Sequence, residues 1–232
     1  MEAADSFAIT PQTKVHRSPA RASYDRAVAH AILDEALVAT VAFSESGQTF
    51  AIPMGYARLG ERILLHAASS SRFARVLASG TPLCVTVTLL DGLVLARSAM
   101  HHSVNYRSVV ALGVAVELDE QPEKLVALAR LVDHVLPGRS AACRPPNAVE
   151  LKATRVFALP LEAVSVKRRV GGPLDDAEDL ALPYWAGVVP LGRGENTPLP
   201  DAAHPPLGAE PAGVRSYDRA EIAAARAREA QP

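Results

Sequence analysis

The feature that most constrains the fold is a series of short apolar runs with β-propensity, separated by segments that favour turns. Branched and aromatic residues dominate these runs, and several alternate apolar and polar positions, which predicts β-strands. Short connections favour antiparallel hairpins, so the pattern predicts a barrel or a sandwich and not a series of βαβ units. In chain order the runs are LVATVAFS, FAIPMGYAR, RILLH, PLCVTVTLL, LVLARSA, SVVALGVAVELD, TRVFALPL and AVSVKRR.

Amphipathic helices are predicted at three places between these runs. Apolar residues recur every four positions over residues 24–37, which is the spacing of one helix face. Residues 69–80 begin with serines and end at a glycine, and residues 122–137 begin with a proline and are followed by a glycine. We therefore expect a mainly β fold with about eight antiparallel strands and three inserted helices.

The composition changes along the chain and predicts four segments. Residues 1–20 are predicted to be a flexible N-terminal arm, and residues 21–170 contain the predicted strands and helices. Residues 171–195 contain the single tryptophan and are predicted to be a docked C-terminal extension. Residues 196–232 form a Pro/Ala-rich tail with little apolar surface for a core, although its last residues favour a terminal helix.

Charge and apolar length argue against two classes of partner. The formal net charge is −1 and no block of Lys or Arg is present, so we expect no nucleic-acid partner. The apolar runs are shorter than the roughly 18 residues that a membrane-spanning helix requires, and the N-terminus has no apolar signal core. We therefore expect no membrane contact and a cytoplasmic location.

The cysteines and histidines show no metal-binding pattern. The two cysteines, Cys84 and Cys143, do not form a CxxC motif and are too few for a disulfide framework. His101 and His102 are adjacent, so on a strand they would point to opposite faces and could not readily chelate one ion. No other histidine or cysteine has ligand spacing, and we expect no metal site.

Residues 97–108 carry an unusual density of hydrogen-bonding side chains between two apolar runs. The preceding Asp91-Gly92 predicts a two-residue hairpin turn. Arginine and serine donors suit an anionic ligand that is rich in acceptors. The alternative is a polar connection whose arginines form surface ion pairs. The side chains concerned are Arg97, Ser98, His101, His102, Ser103, Asn105, Tyr106, Arg107 and Ser108.

A second segment with anion-binding character covers residues 66–72. Serines at a helix start, exposed backbone N–H groups and Arg72 are typical of a phosphate site. The alternative is an ordinary serine-capped helix with a surface arginine. Because this segment and residues 97–108 both flank the predicted hairpin, the fold could bring them together.

In combination, these segments resemble the pyridoxamine 5'-phosphate oxidase-like flavin-nucleotide-binding proteins, and are closest to the branch that includes the nitroimidazole-resistance reductases. The resemblance covers roughly residues 20–193. It implies an FMN-binding split β-barrel and a homodimer that holds FMN in two clefts at the subunit interface. The matching pieces are YDRAVAHAILDEA, FAIPMGYAR, ILLHAASSSRFARVLASG, PLCVTVTLLDGLVLARSAMHHSVNYRSVVALG, PGRS, ELKATRVFALPLEAVSVKRRVGGPLDD and YWAGVVPL.

The resemblance also implies which residues hold the cofactor. It places Arg72 on the arginine of the segment that contacts the phosphate and ribityl chain, while Phe73 replaces the basic residue that follows in the oxidases. Arg97 or Arg107 could substitute for that contact. The implied cofactor-binding residues are Pro53, Met54, Gly55, His66, Ala67, Ser71, Arg72, Arg97, Ser98, Asn105, Tyr106, Arg107, Ser108, Lys167, Arg169 and Trp185.

An FMN-dependent oxidoreductase that acts on a small organic acceptor is the function that these residues favour. The flavin would carry the redox chemistry, which agrees with the lack of an obvious catalytic acid. His66, His101 and His102 are the catalytic candidates, because histidine is the side-chain type whose ordinary pKa lies nearest neutrality; a purely structural role is the alternative.

Two other functions remain open from the sequence. One is a flavin- or haem-binding module without turnover, such as a carrier or sensor, in which haem or a deazaflavin could replace FMN. The other is a barrel with a degenerate site that binds no cofactor. The C-terminal arginine motif of the true oxidases is not found in this chain, which argues against pyridoxal phosphate as the substrate.

Overall fold

A computed structural model describes residues 5–191 and 219–231, in which eleven strands form two antiparallel sheets and five α-helices pack against them. The strands are β1 (Ala22–Ser23), β2 (Val38–Glu45), β3 (Gln48–Gly55), β4 (Ala57–Leu59), β5 (Arg62–Ala68), β6 (Leu83–Leu95), β7 (Ser103–Gly113), β8 (Val116–Glu117), β9 (Thr154–Pro160), β10 (Ala163–Arg169) and β11 (Gly187–Pro190). The helices are α1 (Arg26–Glu35), α2 (Arg72–Ala78), α3 (Gln121–Val135), α4 (Ala148–Ala153) and α5 (Arg219–Glu229).

The two sheets enclose one main apolar core. The larger sheet has the order β1-β10-β7-β6-β2-β3, and β11 pairs with the end of β6; the smaller has the order β4-β5-β9-β8. Alternate residues of the larger sheet, such as Val41 and Val85, face Leu65 and Phe157 of the smaller sheet in this core. Because Leu33 of α1 is also fully buried there, α1 is fixed against both sheets.

The mainly β architecture with inserted helices agrees with the sequence prediction, although the strands and helices are more numerous than predicted. Helix α2 has the predicted serine cap, since Ser71 Oγ accepts a hydrogen bond from the N–H of Ala74 at 3.1 Å. Helix α4 is not among the three helices that the sequence predicted. Its signal was present in the sequence, because Asn147 and Glu150 form a capping box.

The hairpin predicted at Asp91-Gly92 is wrong. Strand β6 continues through these residues with a bulge between Leu90 and Gly92, and the chain reverses only after Leu95. Gly92 is needed for packing rather than for a turn: a Cβ at this position would lie 3.1 Å from Val188 of β11. The glycine therefore marks the close approach of β11 to the bulged strand.

Both chain ends contact the body of the protein in the part that the structure describes. Phe7 is 3% exposed, and its N–H donates to the carbonyl of Tyr24 at 2.7 Å, so the predicted arm is anchored at this point. The terminal helix predicted from the sequence is present as α5. The rest of the predicted tail, residues 196–218, lies outside the described residues.

Arg226 holds α5 against two other helices. Its side chain is fully buried, and its guanidinium donates to the carbonyls of Asp34 at 2.8 Å and Glu35 at 3.1 Å. It also donates to the carbonyl of Val135 at 3.4 Å. A cation at these C-terminal carbonyls complements the negative ends of α1 and α3. None of the helices in residues 5–191 and 219–231 has the length and apolar character needed to cross a membrane.

Candidate functional site

The outer face of the larger sheet is lined by small and hydroxyl-bearing side chains. Strand pairing aligns one row of residues across five strands on this face, and they are exposed or half-buried while their neighbours in each strand point into the core. A surface of this kind can contact a flat ring or a second protein without large side chains in the way. The row consists of Pro53, Thr40, Thr86, Val110 and Ser165.

Three predicted cofactor residues lie at the end of β3, on the edge of this sheet. Pro53 and Gly55 are exposed, whereas Met54 points inward and packs against the core. A proline is tolerated here because an edge strand leaves one side of its backbone unpaired. Of the three residues, Pro53 and Gly55 are therefore available to a ligand on the outer face.

Arg72 begins α2 and lies beside the connection between β2 and β3. Its guanidinium is 4.8 Å from the ring centroid of Phe50 and 3.6 Å from the carboxylate of Glu45. The side chain is 55% exposed, so this ion pair is loose and screened by solvent. The neighbouring Ser71 hydroxyl is used for the helix cap, and Ala67, on β5, is buried in the main core.

The segment from Arg97 to His102 is fastened by two acidic residues of the C-terminal extension. Asp175 accepts hydrogen bonds from the backbone N–H of Arg97 at 2.9 Å and from its guanidinium at 3.0 Å. Burial alone would raise the pKa of Asp175, but the donors of Arg97 and Ser98 lower it below its usual value. Arg97 Nε and Ser98 Oγ are buried without a hydrogen-bond partner among the described residues, which leaves two donors for a ligand.

Arg107 is neutralised by two carboxylates. It donates to both oxygens of Asp91 at 2.9 and 2.7 Å and forms a two-point ion pair with Glu35. These hydrogen bonds raise the pKa of the guanidinium. Arg97 and Arg107 thus both form ion pairs, as the alternative interpretation of residues 97–108 expected.

The two predicted anion-binding segments do not meet within one chain. Arg72 forms an ion pair with Glu45, which lies three residues beyond Ala42 on β2. Ala42 pairs with Cys84 at the start of β6, whereas Arg107 pairs with Leu89 further along β6. The levels of Glu45 and Arg107 along β6 are therefore separated by about 25 Å. The structure does not bring Arg72 together with Arg97 or Arg107.

The three catalytic candidates lie in different surroundings. His66 is exposed near the end of β5, and burial of part of its ring lowers its pKa below the usual 6.5. His101 Nε2 is 3.2 Å from a carboxylate oxygen of Asp176, and His102 Nδ1 donates to the carbonyl of Ser98 at 3.0 Å. No group of three or more potential metal ligands occurs in the described part of the chain.

Basic side chains gather where β10 ends beside β1. A cavity of about 530 Å³ is lined by Arg21, Arg168 and Arg169 together with residues 170–174. Ala22 pairs with Lys167, which places Arg21 next to Arg168. Sequence analysis identified Lys167 and Arg169 but missed Arg21 and Arg168, although the run Lys167-Arg168-Arg169 was a visible signal.

Arg169 is the most deeply buried member of this basic cavity, with 5% exposure. Its guanidinium donates to Asn105 Oδ1 at 2.6 Å and to the carbonyls of Gly171 at 3.1 Å and Gly172 at 2.9 Å. All three acceptors are uncharged. Burial and the nearby charge of Arg21 lower the pKa of Arg169.

The remaining predicted residues surround the same end of the sheet. Tyr106 pairs with Arg169 across β7 and β10, and the Ser108 hydroxyl donates to the carbonyl of Lys167 at 3.2 Å. Trp185, just before β11, is 66% exposed and lies against Gly187, where a Cβ would come within 2.9 Å of the indole. The C-terminal extension thus places an aromatic ring beyond the end of β6, to which β11 pairs.

The chain belongs to the pyridoxamine 5'-phosphate oxidase family. The profile of the family described as Pyridoxamine 5'-phosphate oxidase matches residues 25–168. This membership confirms the resemblance seen in the sequence, and the split-barrel fold class is confirmed with it. The two sheets are open and do not form one closed barrel.

Two solved structures are similar over most of the chain. The flavocytochrome Anf3 from Azotobacter vinelandii is 38% identical, covers 88% of this chain and 95% of its own, and has a TM-score of 0.82. The FAD and heme binding protein from Mycobacterium smegmatis is 36% identical, covers 84% of this chain and 96% of its own, and has a TM-score of 0.79.

A more distant structure shares the fold alone. A candidate 5-nitroimidazole antibiotic resistance protein from Bacteroides thetaiotaomicron is 17% identical, covers 63% of this chain and 85% of its own, and has a TM-score of 0.55. No curated protein matches the chain.

Proposed function

We propose that this protein binds a flavin nucleotide and acts in electron transfer. The observation that carries this proposal is the similarity, at 38% and 36% identity over most of the chain, to a flavocytochrome and to an FAD and heme binding protein. Membership of the pyridoxamine 5'-phosphate oxidase family supports the same class of function.

The residues of the site fit a flavin nucleotide. Arg21, Arg168 and Arg169 line a cavity without a carboxylate, which suits a phosphate. The row of small side chains on the outer sheet face suits a flat ring, and Trp185 offers an exposed aromatic surface. The flavin would supply the redox chemistry when bound, while these side chains bind and orient it.

The sequence favoured FMN as the cofactor, whereas the name of one close relative specifies FAD. We propose a flavin nucleotide and leave its identity to a direct measurement. Purified protein should show flavin absorption bands, and mass spectrometry of the compound released on heating should give the mass of FMN or FAD. A colourless protein that takes up neither added FMN nor added FAD would contradict the proposal.

An oxidoreductase that reduces a small organic acceptor is the proposed activity. Anaerobic mixing of the flavin-loaded protein with NADH or NADPH should bleach the flavin absorbance, and an added acceptor should restore it. Bleaching that no acceptor reverses would support a carrier or sensor instead. A flavin that no donor reduces would contradict the enzymatic proposal.

Haem is the second candidate ligand, since the name of one similar protein includes heme and the other is named a flavocytochrome. Histidine is a common axial ligand of haem iron, and His66, His101 and His102 are the candidates in the described region. Haem-loaded protein should show a Soret band. Replacing each histidine by alanine in turn should shift that band for the ligand and leave it unchanged for the other two.

We further propose that two copies of the chain associate in the cytoplasm. The C-terminal extension and the adjoining part of β6 expose a group of large apolar side chains, which in a soluble protein often marks a protein contact. These are Leu90, Leu93, Leu180, Leu182, Tyr184 and Trp185. Light scattering coupled to gel filtration should give the mass of a dimer, and cell fractionation tests the location.

A further inference from the structure

The basic cavity at the end of β10, beside β1, combines residues that are far apart in the sequence. Arg21 ends a 3-10 helix and directly precedes β1, while Arg168 and Arg169 end β10. The antiparallel pairing of Ala22 with Lys167 fixes these segments side by side. The backbone register thus places three arginine residues along one cavity of about 530 Å³.

The cavity lacks the negative charge that such a cluster requires. Within residues 5–191 and 219–231, no carboxylate lies within 4.0 Å of a nitrogen of Arg21, Arg168 or Arg169. Like charges on neighbouring strands repel each other, and a buried cation without a counter-charge is destabilising. An anionic ligand would remove both penalties.

The arginines that the family resemblance favoured as phosphate ligands are placed differently. Arg107 already binds the carboxylates of Glu35 and Asp91, and Arg97 binds Asp175. Arg72 is exposed and shares Glu45 with Arg75. A phosphate at any of these positions would have to compete with an acidic side chain, whereas at the basic cavity it would not.

We infer that Arg21, Arg168 and Arg169 bind the phosphate of the flavin nucleotide, an inference that rests on the proposed function. Arg169, held by Asn105 and two backbone carbonyls, forms the fixed wall of the site. Arg168 is exposed and Arg21 is half-buried, so both can adjust to the ligand. The N-terminal segment thereby contributes directly to the cofactor site.

Binding of three flavins to the full chain stripped of its cofactor tests this inference. Riboflavin has no phosphate, FMN has one and FAD has a diphosphate. We expect Arg21→Gln and Arg168→Gln each to weaken FMN and FAD binding about 10- to 100-fold and to leave riboflavin binding unchanged. Arg144→Gln, which removes an exposed arginine elsewhere, is the control and should bind all three flavins like the wild type.

The two phosphorylated flavins identify which phosphate the cavity holds. Loss of affinity for both FMN and FAD would place the phosphate next to the ribityl chain in the cavity. Loss for FAD alone would place the diphosphate there. Either result supports the inference. Variants that bind FMN and FAD as tightly as the wild type, or that lose riboflavin equally, would overturn it.

A wild-type chain that binds none of the three flavins would refute the proposed function but not yet the phosphate site. Calorimetry with inorganic pyrophosphate separates the two. Binding to the wild type that is lost in the Arg21→Gln, Arg168→Gln double variant would support the site. Absence of pyrophosphate binding to the wild type would overturn it. Circular dichroism of each variant checks that it is folded, and Arg169 is left intact because its hydrogen bonds hold the backbone.

Discussion

Arg58 and Asp34 form an ion pair that is buried on both sides. The guanidinium donates two hydrogen bonds to the carboxylate, at 2.6 and 3.0 Å, and the side chains are 7% and 1% exposed. The backbone around the pair is held as well, since Arg130 donates to the carbonyl of Arg58 at 2.9 Å. The pair thereby joins α1 to β4.

Removing one partner of this pair should destabilise the fold strongly. Arg58→Ala leaves the carboxylate of Asp34 buried without its counter-charge, which costs about 3–5 kcal/mol of unfolding free energy. Denaturant unfolding of the purified variant measures this cost. Arg62→Ala, which breaks the half-exposed pair with Glu123, is the matched control and should cost less than about 1 kcal/mol. Equal costs for the two variants would contradict the buried pair.

Arg226 should contribute to stability through the carbonyls that it caps. Arg226→Met keeps most of the apolar stem but leaves the carbonyls of Asp34 and Glu35 without this donor, at about 1–3 kcal/mol for each buried acceptor. Thermal unfolding should show a lower midpoint for this variant. Arg228→Met, in the same helix but exposed, should leave the midpoint unchanged. A stable Arg226→Met variant would show that α5 is not held by this side chain.

His134 should make the protein less stable in mild acid. Burial and the nearby charge of Arg226 lower the pKa of His134 to about 3, whereas its ordinary value in an unfolded chain is 6.5. The unfolded chain therefore takes up a proton that the folded chain does not, so this contribution to stability is complete above pH 6.5 and decreases as the pH falls toward 3. Between pH 7 and pH 5 the loss is about 2 kcal/mol.

The variant His134→Gln isolates this effect because it keeps a donor for the carbonyl of Ala36, which His134 Nε2 contacts at 2.8 Å. Denaturant unfolding at a series of pH values should give a flatter pH dependence for His134→Gln than for the wild type. Since the other titrating groups are common to both proteins, they cancel in the difference. Parallel curves would mean that His134 does not titrate differently on unfolding.

Trp185 should report on the flavin directly. It is the only tryptophan in the chain, and it is 66% exposed in the free protomer. Binding of a flavin next to it should quench its fluorescence, and titration of the stripped protein with FMN or FAD should follow a saturation curve. The variant Trp185→Phe should lose this signal and bind flavin more weakly if the indole contacts the ring. Unchanged fluorescence on saturation with flavin would place the cofactor away from Trp185.

Local signals in the sequence predicted most of the strands and the positions of α1, α2 and α3, with ends that differ by one to three residues. They failed at Asp91-Gly92, because the same dipeptide that favours a turn also permits a bulge and the close approach of β11. Whether the dipeptide forms a turn or a bulge depends on its contact with Val188, which lies almost a hundred positions further along the chain. Such a contact leaves no trace in the local pattern.

The candidate site was predictable as a set of residue types and not as an arrangement. The resemblance pointed to Arg72, Arg97 and Arg107 as anion ligands, but one of the two carboxylates that neutralise Arg107 belongs to Glu35, 72 residues away. Arg21 was missed because its role depends on the pairing of Ala22 with Lys167. Ion pairs between residues far apart in the sequence decide which arginines remain free to bind an anionic ligand. These pairings cannot be read from the local pattern of a single sequence.

The contacts of Arg226 with the ends of α1 and α3 have a consequence for synthesis on the ribosome. This side chain lies 192 residues after the Asp34 carbonyl that it binds, so α1 leaves the ribosome long before its final partner exists. At ordinary translation rates the delay is roughly 10–40 s. During that interval the C-terminal carbonyls of α1 and α3 lack the hydrogen bonds that Arg226 donates to them in the folded protein.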